Sequence, residues 1–147
     1  MAQAALTTLT VDECMTQLAV NTVGRIAFVA DDLPVILPVN YRLLDDGRGP
    51  VVVVRTRPGG IVDSAPVQVA FEVDGVDPLQ HTGWSVLVRG ALRHLRDTEV
   101  AQLRERSDPE PWIEGRDSWL VLVPVEITGR RLLQSESPWA CDARAYL

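Results

Sequence analysis

The chain has 147 residues, 46% of them hydrophobic and 23% charged, with a formal net charge of −6. One core can be buried at this size without disulfides or metals, so a single domain spanning residues 1–147 is expected. An acidic balance excludes a general nucleic-acid binder, which needs clustered cations against phosphate. No run approaches the ~18 apolar residues of a membrane span, and Cys14 and Cys141 stand far apart, outside any metal-ligand spacing. A cytoplasmic protein with no membrane and no nucleic-acid partner is the expectation.

Thr10 and Glu13 stand at capping-box spacing, with Leu9 and Cys14 placed to staple the first turn, which predicts a helix from about Val11. Val11, Cys14, Met15 and Leu18 recur on one stripe of that helix and read as core. After a break at Asn21 to Gly24, RIAFVA, LPVILPVNY and PVVVVRT read as three successive antiparallel strands, separated by turns at Asp31-Asp32 and Asp45-Asp46-Gly47. The unbroken valines at 51–54 predict a strand covered on both faces.

Pro58-Gly59-Gly60 ends that strand, and a short connecting segment leads to VQVAFEVD, where Val67, Val69, Phe71 and Val73 share one face. A loop follows, then the long strand GWSVLVRGALRHL, in which Gly90 suits a bulge or a bend. Asp97 or Thr98 is placed to cap a second helix through TEVAQLRER, with Val100, Leu103 and Arg104 inward and Pro109 and Pro111 stopping it. SWLVLVPVEITGRRL is the last strand, with Pro124 at an edge or bulge, and residues 134–147 carry no periodicity. Many β runs at short spacing with two small helices predict a mainly β, antiparallel barrel or sandwich. A Rossmann domain is excluded by the lack of GxGxxG after the first strand and of a crossover helix.

In order, LPVILPVNY, VVVVRTRPGG, VQVAFEVD, HTGWSVLVRG and EITGRRL resemble the pyridoxamine 5′-phosphate oxidase-like family of FMN-binding split barrels, over nearly the whole chain. The resemblance implies an antiparallel split β-barrel with two or three short helices, FMN as cofactor, and a homodimer with the cofactor site at the subunit interface. It also implies an oxidoreductase acting on a small substrate that the sequence does not identify. Pro38, Val39 and Asn40 would run beside the isoalloxazine ring, offering backbone groups and the Asn40 amide. Read locally, the same residues are an edge-protecting proline and the start of a turn.

Arg55, Thr56, Arg57, Gly59 and Gly60 would meet the ribityl chain and phosphate, since arginine grips phosphate bidentately and glycines let backbone N–H groups approach an anion. Their local reading is a solvated strand end with a Pro-Gly turn. Trp84 and Ser85 would approach the flavin near the dimer seam, or Trp84 is simply a core or interface residue. The family commonly has a lysine shortly after the glycine, where this chain has Ile61. That departure keeps open a deazaflavin such as coenzyme F420 on the same fold, or a non-catalytic dimer binding flavin or haem.

Four tryptophans, Trp84, Trp112, Trp119 and Trp139, are candidate interface anchors. Arg130 and Arg131 either reach the seam or face solvent. His81 and His94 have no carboxylate, serine or cysteine near them in an acid–base or nucleophilic pattern, and no metal site is indicated. Any chemistry would belong to the cofactor.

Overall fold

The computed structural model describes residues 5–134. Trp139 and Cys141 lie outside the described residues. The elements run β1 (Ala5–Thr8), α1 (Val11–Val20), β2 (Val23–Ala30), β3 (Leu33–Asp45), β4 (Pro50–Thr56), β5 (Gln68–Asp77), β6 (Thr82–His94), α2 (Asp97–Arg106) and β7 (Ser118–Leu133). The strands are ordered β1-β7-β4-β3-β2-β5-β6, and β6 pairs with β7 again, so the antiparallel sheet closes on itself. Closure removes most free edges, which is how a mainly β chain of this size avoids exposing unpaired backbone.

The capping box at the start of α1 is present: the Thr10 hydroxyl accepts from Glu13 N–H at 3.2 Å and Glu13 accepts from Thr10 N–H at 2.8 Å. Cys14 and Leu18 point from α1 into the barrel, and Leu9 N–H donates to the Gly129 carbonyl at 2.9 Å. For α2, the sequence points to Asp97 or Thr98 as cap, whereas Arg96 occupies that position. Glu99 reaches back to Arg96 N–H at 2.9 Å and also grips Arg93 at 3.0 Å, which fixes the start one residue earlier. β1 had no local signature; its four exposed residues are strand only because they lie against Arg130–Leu133 at the end of β7.

The valines of β4 are buried on both faces as expected. Val52 and Val54 join Ile26, Tyr41, Phe71, Val86 and Leu120 inside the barrel. Val51 and Val53 join Trp119 and Val121 on the outer face, beneath Leu95, Val100 and Leu103 around α2. Trp119 is therefore core, 3% exposed, and not an interface anchor: its strand position turns it toward α2. Between Arg89 and Gly90 the β6–β7 register shifts, so that Arg89 faces Glu126 while Gly90 faces Pro124 and Val125 is the extra residue. The bulge accommodates a proline that has no N–H to give.

Tyr41 lies fully buried with its ring edge-on to Phe71, and its hydroxyl donates to the Leu18 carbonyl at 2.7 Å, tying β3 to α1. Burial pushes this phenol well above its ordinary pKa. Tyr41→Phe is expected to cost about 1–2 kcal/mol, because it leaves the Leu18 carbonyl unsatisfied in the interior. Urea denaturation of the two proteins measures it. Among the described residues, no helix is long and apolar enough to cross a membrane.

Candidate functional site

β3 serves two neighbours in succession. Its first half, Leu33–Asn40, pairs with β2, and its second half, Tyr41–Asp45, pairs with β4. The β3–β4 ladder stops at Tyr41 opposite Val54, so the next residues on each strand, Asn40 and Arg55, stand where the strands part. Beyond that fork no described strand pairs with the outer edge of Leu33–Asn40. Tyr41 N–H is spent on the Thr22 carbonyl of the β2 side, so by alternation Leu37 and Val39 also turn their backbone groups to β2, and the Pro38 carbonyl and the Asn40 N–H face the free edge.

Strand alternation sorts the side chains. Val39 and Thr56 are buried, continuing the inward rows of Tyr41 and Val54, while Asn40 and Arg55 continue the outward rows. The segment 107–117, between α2 and β7, lies across them. Trp112 N–H donates to Asn40 Oδ1 at 3.3 Å, Arg55 Nε donates to the Arg116 carbonyl at 2.9 Å, and Arg55 Nη1 meets Asp108 Oδ1 at 2.8 Å. Asp117 stands 3.6 Å from Arg55 Nη2, and the guanidinium also lies 5.0 Å from the centre of the Trp119 ring. The Arg104 guanidinium lies 5.5 Å from the centre of the same ring, whose buried Nε1 has no hydrogen-bond partner among the described residues. Arg55, 12% exposed, is the only one of the two candidate phosphate-gripping arginines so engaged. Arg57 is exposed and makes no ion pair with any described residue.

Gly59 and Gly60 form the turn after β4, with Gly60 N–H returning to the Arg57 carbonyl at 3.0 Å. Gly59 N–H donates to Asp63 Oδ2 at 2.7 Å, so a carboxylate of this chain already sits on that donor. Asp63 also accepts from Ser118 Oγ and lies 2.9 Å from His94 Nε2. Those contacts, the serine bond foremost, hold its carboxyl below the usual range. Sequence reasoning found no partner for His94, because Asp63 reaches it from 31 residues before it. The carboxylate is central in this trio, with serine and histidine both on it, so the histidine does not activate the serine and no nucleophile is assembled.

Trp84 and Ser85 are not brought to the fork. They lie on β6, and two strands separate β6 from β3 whichever way one goes round the barrel. Trp84 turns inward against the core and over Gly75, where an added Cβ would fall 2.6 Å from Nε1. Ser85 alternates outward with Leu87. Arg131 leans 3.4 Å from Glu13. Within one chain, then, Pro38, Val39, Asn40, Arg55 and Thr56 meet at the fork, with Arg57, Gly59 and Gly60 on the loop leaving it, while Trp84 and Ser85 stand apart.

The outward side of β2, β3 and β5 beside the fork is apolar. Ala27 faces Ile36 on one side and Ala70 on the other, and Val29 faces Pro34. Val29 and Ile36 are 59% and 67% exposed, and Val67 and Val125 border a concavity of ≈ 440 Å³ lined also by Ala27, Ala70 and Ala91. Arg25 bridges Glu72 at 3.1 Å and Asp74 at 2.9 Å on the same face. Burial and the adjacent Asp74 push the Glu72 carboxyl upward against the pull of Arg25.

Comparison with known proteins places these features in a wider group. A family model described as pyridoxamine 5′-phosphate oxidase matches residues 10–131. An uncharacterised protein of Mycobacterium tuberculosis is 37% identical over 130 residues, covering 83% of this chain and 82% of the relative. The solved FAD binding protein of Mycobacterium smegmatis superposes with a TM-score of 0.65 at 32% identity, covering 86% of this chain and 98% of that one. A conserved protein of unknown function from Corynebacterium diphtheriae gives a TM-score of 0.73 at 29% identity, over 87% of this chain and 98% of that one.

Proposed function

The chain belongs to the pyridoxamine 5′-phosphate oxidase family, and on that premise we propose that it binds a flavin at the β3–β4 fork and serves as a flavin-dependent oxidoreductase. The observation that carries this reading is the free outer edge of β3 at Pro38 and Asn40, where β3 and β4 part. A flavin ring needs an apolar wall with hydrogen-bonding groups at fixed intervals along its polar edge, and an unpaired strand edge supplies them. Bound there, a flavin would supply hydride or electron transfer to a small substrate; the protein supplies binding, orientation and exclusion of water.

The donors fit the group in part. Pro38 and Asn40 offer the edge, and Arg57 offers a cation at the phosphate end, where the Gly59 and Gly60 N–H groups are already taken by Asp63 and the Arg57 carbonyl. FMN is the cofactor this set suits. FAD is the second reading, favoured by the solved M. smegmatis relative, which is an FAD binding protein.

The 107–117 segment roofs the fork at Asn40 and Arg55 and leaves the apolar face beside Ile36 uncovered, and a second copy seated on that face would complete the site. Ser85 of the partner subunit, on the same outward face, then becomes available to it.

Uptake of FMN, FAD and F420 by the purified protein, followed by absorbance, tests the proposal. Stoichiometric FMN is the expected result; a protein that takes up no flavin at micromolar concentration overturns it. At the phosphate end, Arg57→Ala is expected to weaken FMN binding by at least about tenfold, the loss of one charge-assisted contact. Ile61 is 49% exposed, so Ile61→Lys adds a second cation without opening the core and should tighten binding. Fluorescence-quenching titrations of both variants provide the check.

A further inference from the structure

The anion-binding end of the fork is already occupied by acids of this chain. Arg55, the better buried of the two candidate arginines, spends Nη1 on Asp108 at 2.8 Å and Nε on the Arg116 carbonyl at 2.9 Å, with Asp117 at 3.6 Å from Nη2. Asp108 comes from the 107–117 segment, which is fastened to the fork a second time by Trp112 N–H on Asn40 Oδ1. A guanidinium carries five N–H donors, but all three nitrogens of Arg55 already face the Arg116 carbonyl, Asp108 and Asp117, so a phosphate seeking a bidentate grip meets a carboxylate in its place.

We infer that Asp108 is a specificity-determining residue: an intramolecular competitor that withholds Arg55 from the cofactor's phosphate. Docking of 107–117 and engagement of Arg55 by an anionic tail are then mutually exclusive. As built, the site reads the phosphate through Arg57 alone and discriminates weakly between FMN and uncharged riboflavin. This rests on the flavin reading above and adds to it which flavin tails the site rewards. The contrast is electrostatic. Asp108 competes with a phosphate, and an uncharged ribityl chain does not have to displace it.

The test measures dissociation constants of FMN and riboflavin for the wild-type protein, Asp108→Asn and Asp108→Glu. Asp108→Asn keeps the size of the side chain and removes its charge, so FMN binding should tighten by about tenfold or more while riboflavin binding stays constant. Asp108→Glu, which retains the charge, should keep the wild-type FMN-to-riboflavin ratio. The riboflavin constant also reports whether each variant still forms the ring site. If Asp108→Asn leaves the ratio unchanged, or weakens both flavins together as a merely structural contact would, the inference is overturned while the flavin reading stands. If the wild-type protein binds neither flavin, both fall.

Discussion

Gly90→Ala is expected to lose about 3 kcal/mol of stability or more. At Gly90 the β6 backbone passes so close to β7 that an added Cβ would lie far inside the van der Waals radius of the Val123 carbonyl oxygen, and 2.9 Å from its carbon. Both obstacles are backbone, so no side chain can swing away. The strands must separate at the bulge where Gly90 faces Pro124, and this pairing is the one that closes the barrel.

Gly115 gives the contrast. It lies in open space with φ of 79°, so Gly115→Ala meets no atom and costs only the left-handed backbone strain, about 1–2 kcal/mol. Denaturant midpoints of the two variants separate the steric from the conformational cost. Equal losses would mean that β6 and β7 are not held together at Gly90.

What the sequence revealed and what it hid divides along the same line. Gly90 and Pro124 were legible as a bulge because each carries its reason in its own backbone chemistry, and Thr10 with Glu13 was legible as a cap because four consecutive residues suffice to make one. The strand at LPVILPVNY was legible too, from its composition. Its change of partner at Tyr41 was not, since only the positions of β2 and β4 decide where one ladder ends and the other begins.

The same holds for the site. Arg55 read as a free cation because Asp108, which neutralises it, lies 53 residues away in a proline-rich stretch with no pattern of its own. His94 read as solitary because its partner Asp63, itself held by Ser118, lies 31 residues earlier in the chain. Trp119 read as an interface anchor because alternation within a strand shows that two faces differ, without showing which of them a helix will cover.

Ile36→Arg should have the largest functional effect. Ile36 is 67% exposed and stands between Ala27 on β2 and the free outer edge of β3, two positions from Pro38 and four from Asn40 on the same outward row. A second copy covering Val29, Ile36 and Val67 would bury this position beside the flavin strand, and an arginine placed there would be an unpaired charge at the centre of the contact. Such a charge costs about 3–5 kcal/mol, so association weakens by about two to four orders of magnitude. In the monomer, where the residue faces water, the same substitution is nearly neutral.

If, as proposed, a second copy completes the site, the expected variant is a folded monomer with an unchanged melting midpoint at low concentration and no retained flavin. Sedimentation equilibrium and flavin absorbance on one sample read both properties at once. A variant that remains dimeric would place the subunit contact elsewhere on the barrel. A monomer that keeps its flavin at wild-type affinity would mean that one fork, roofed by the 107–117 segment, is a complete site by itself.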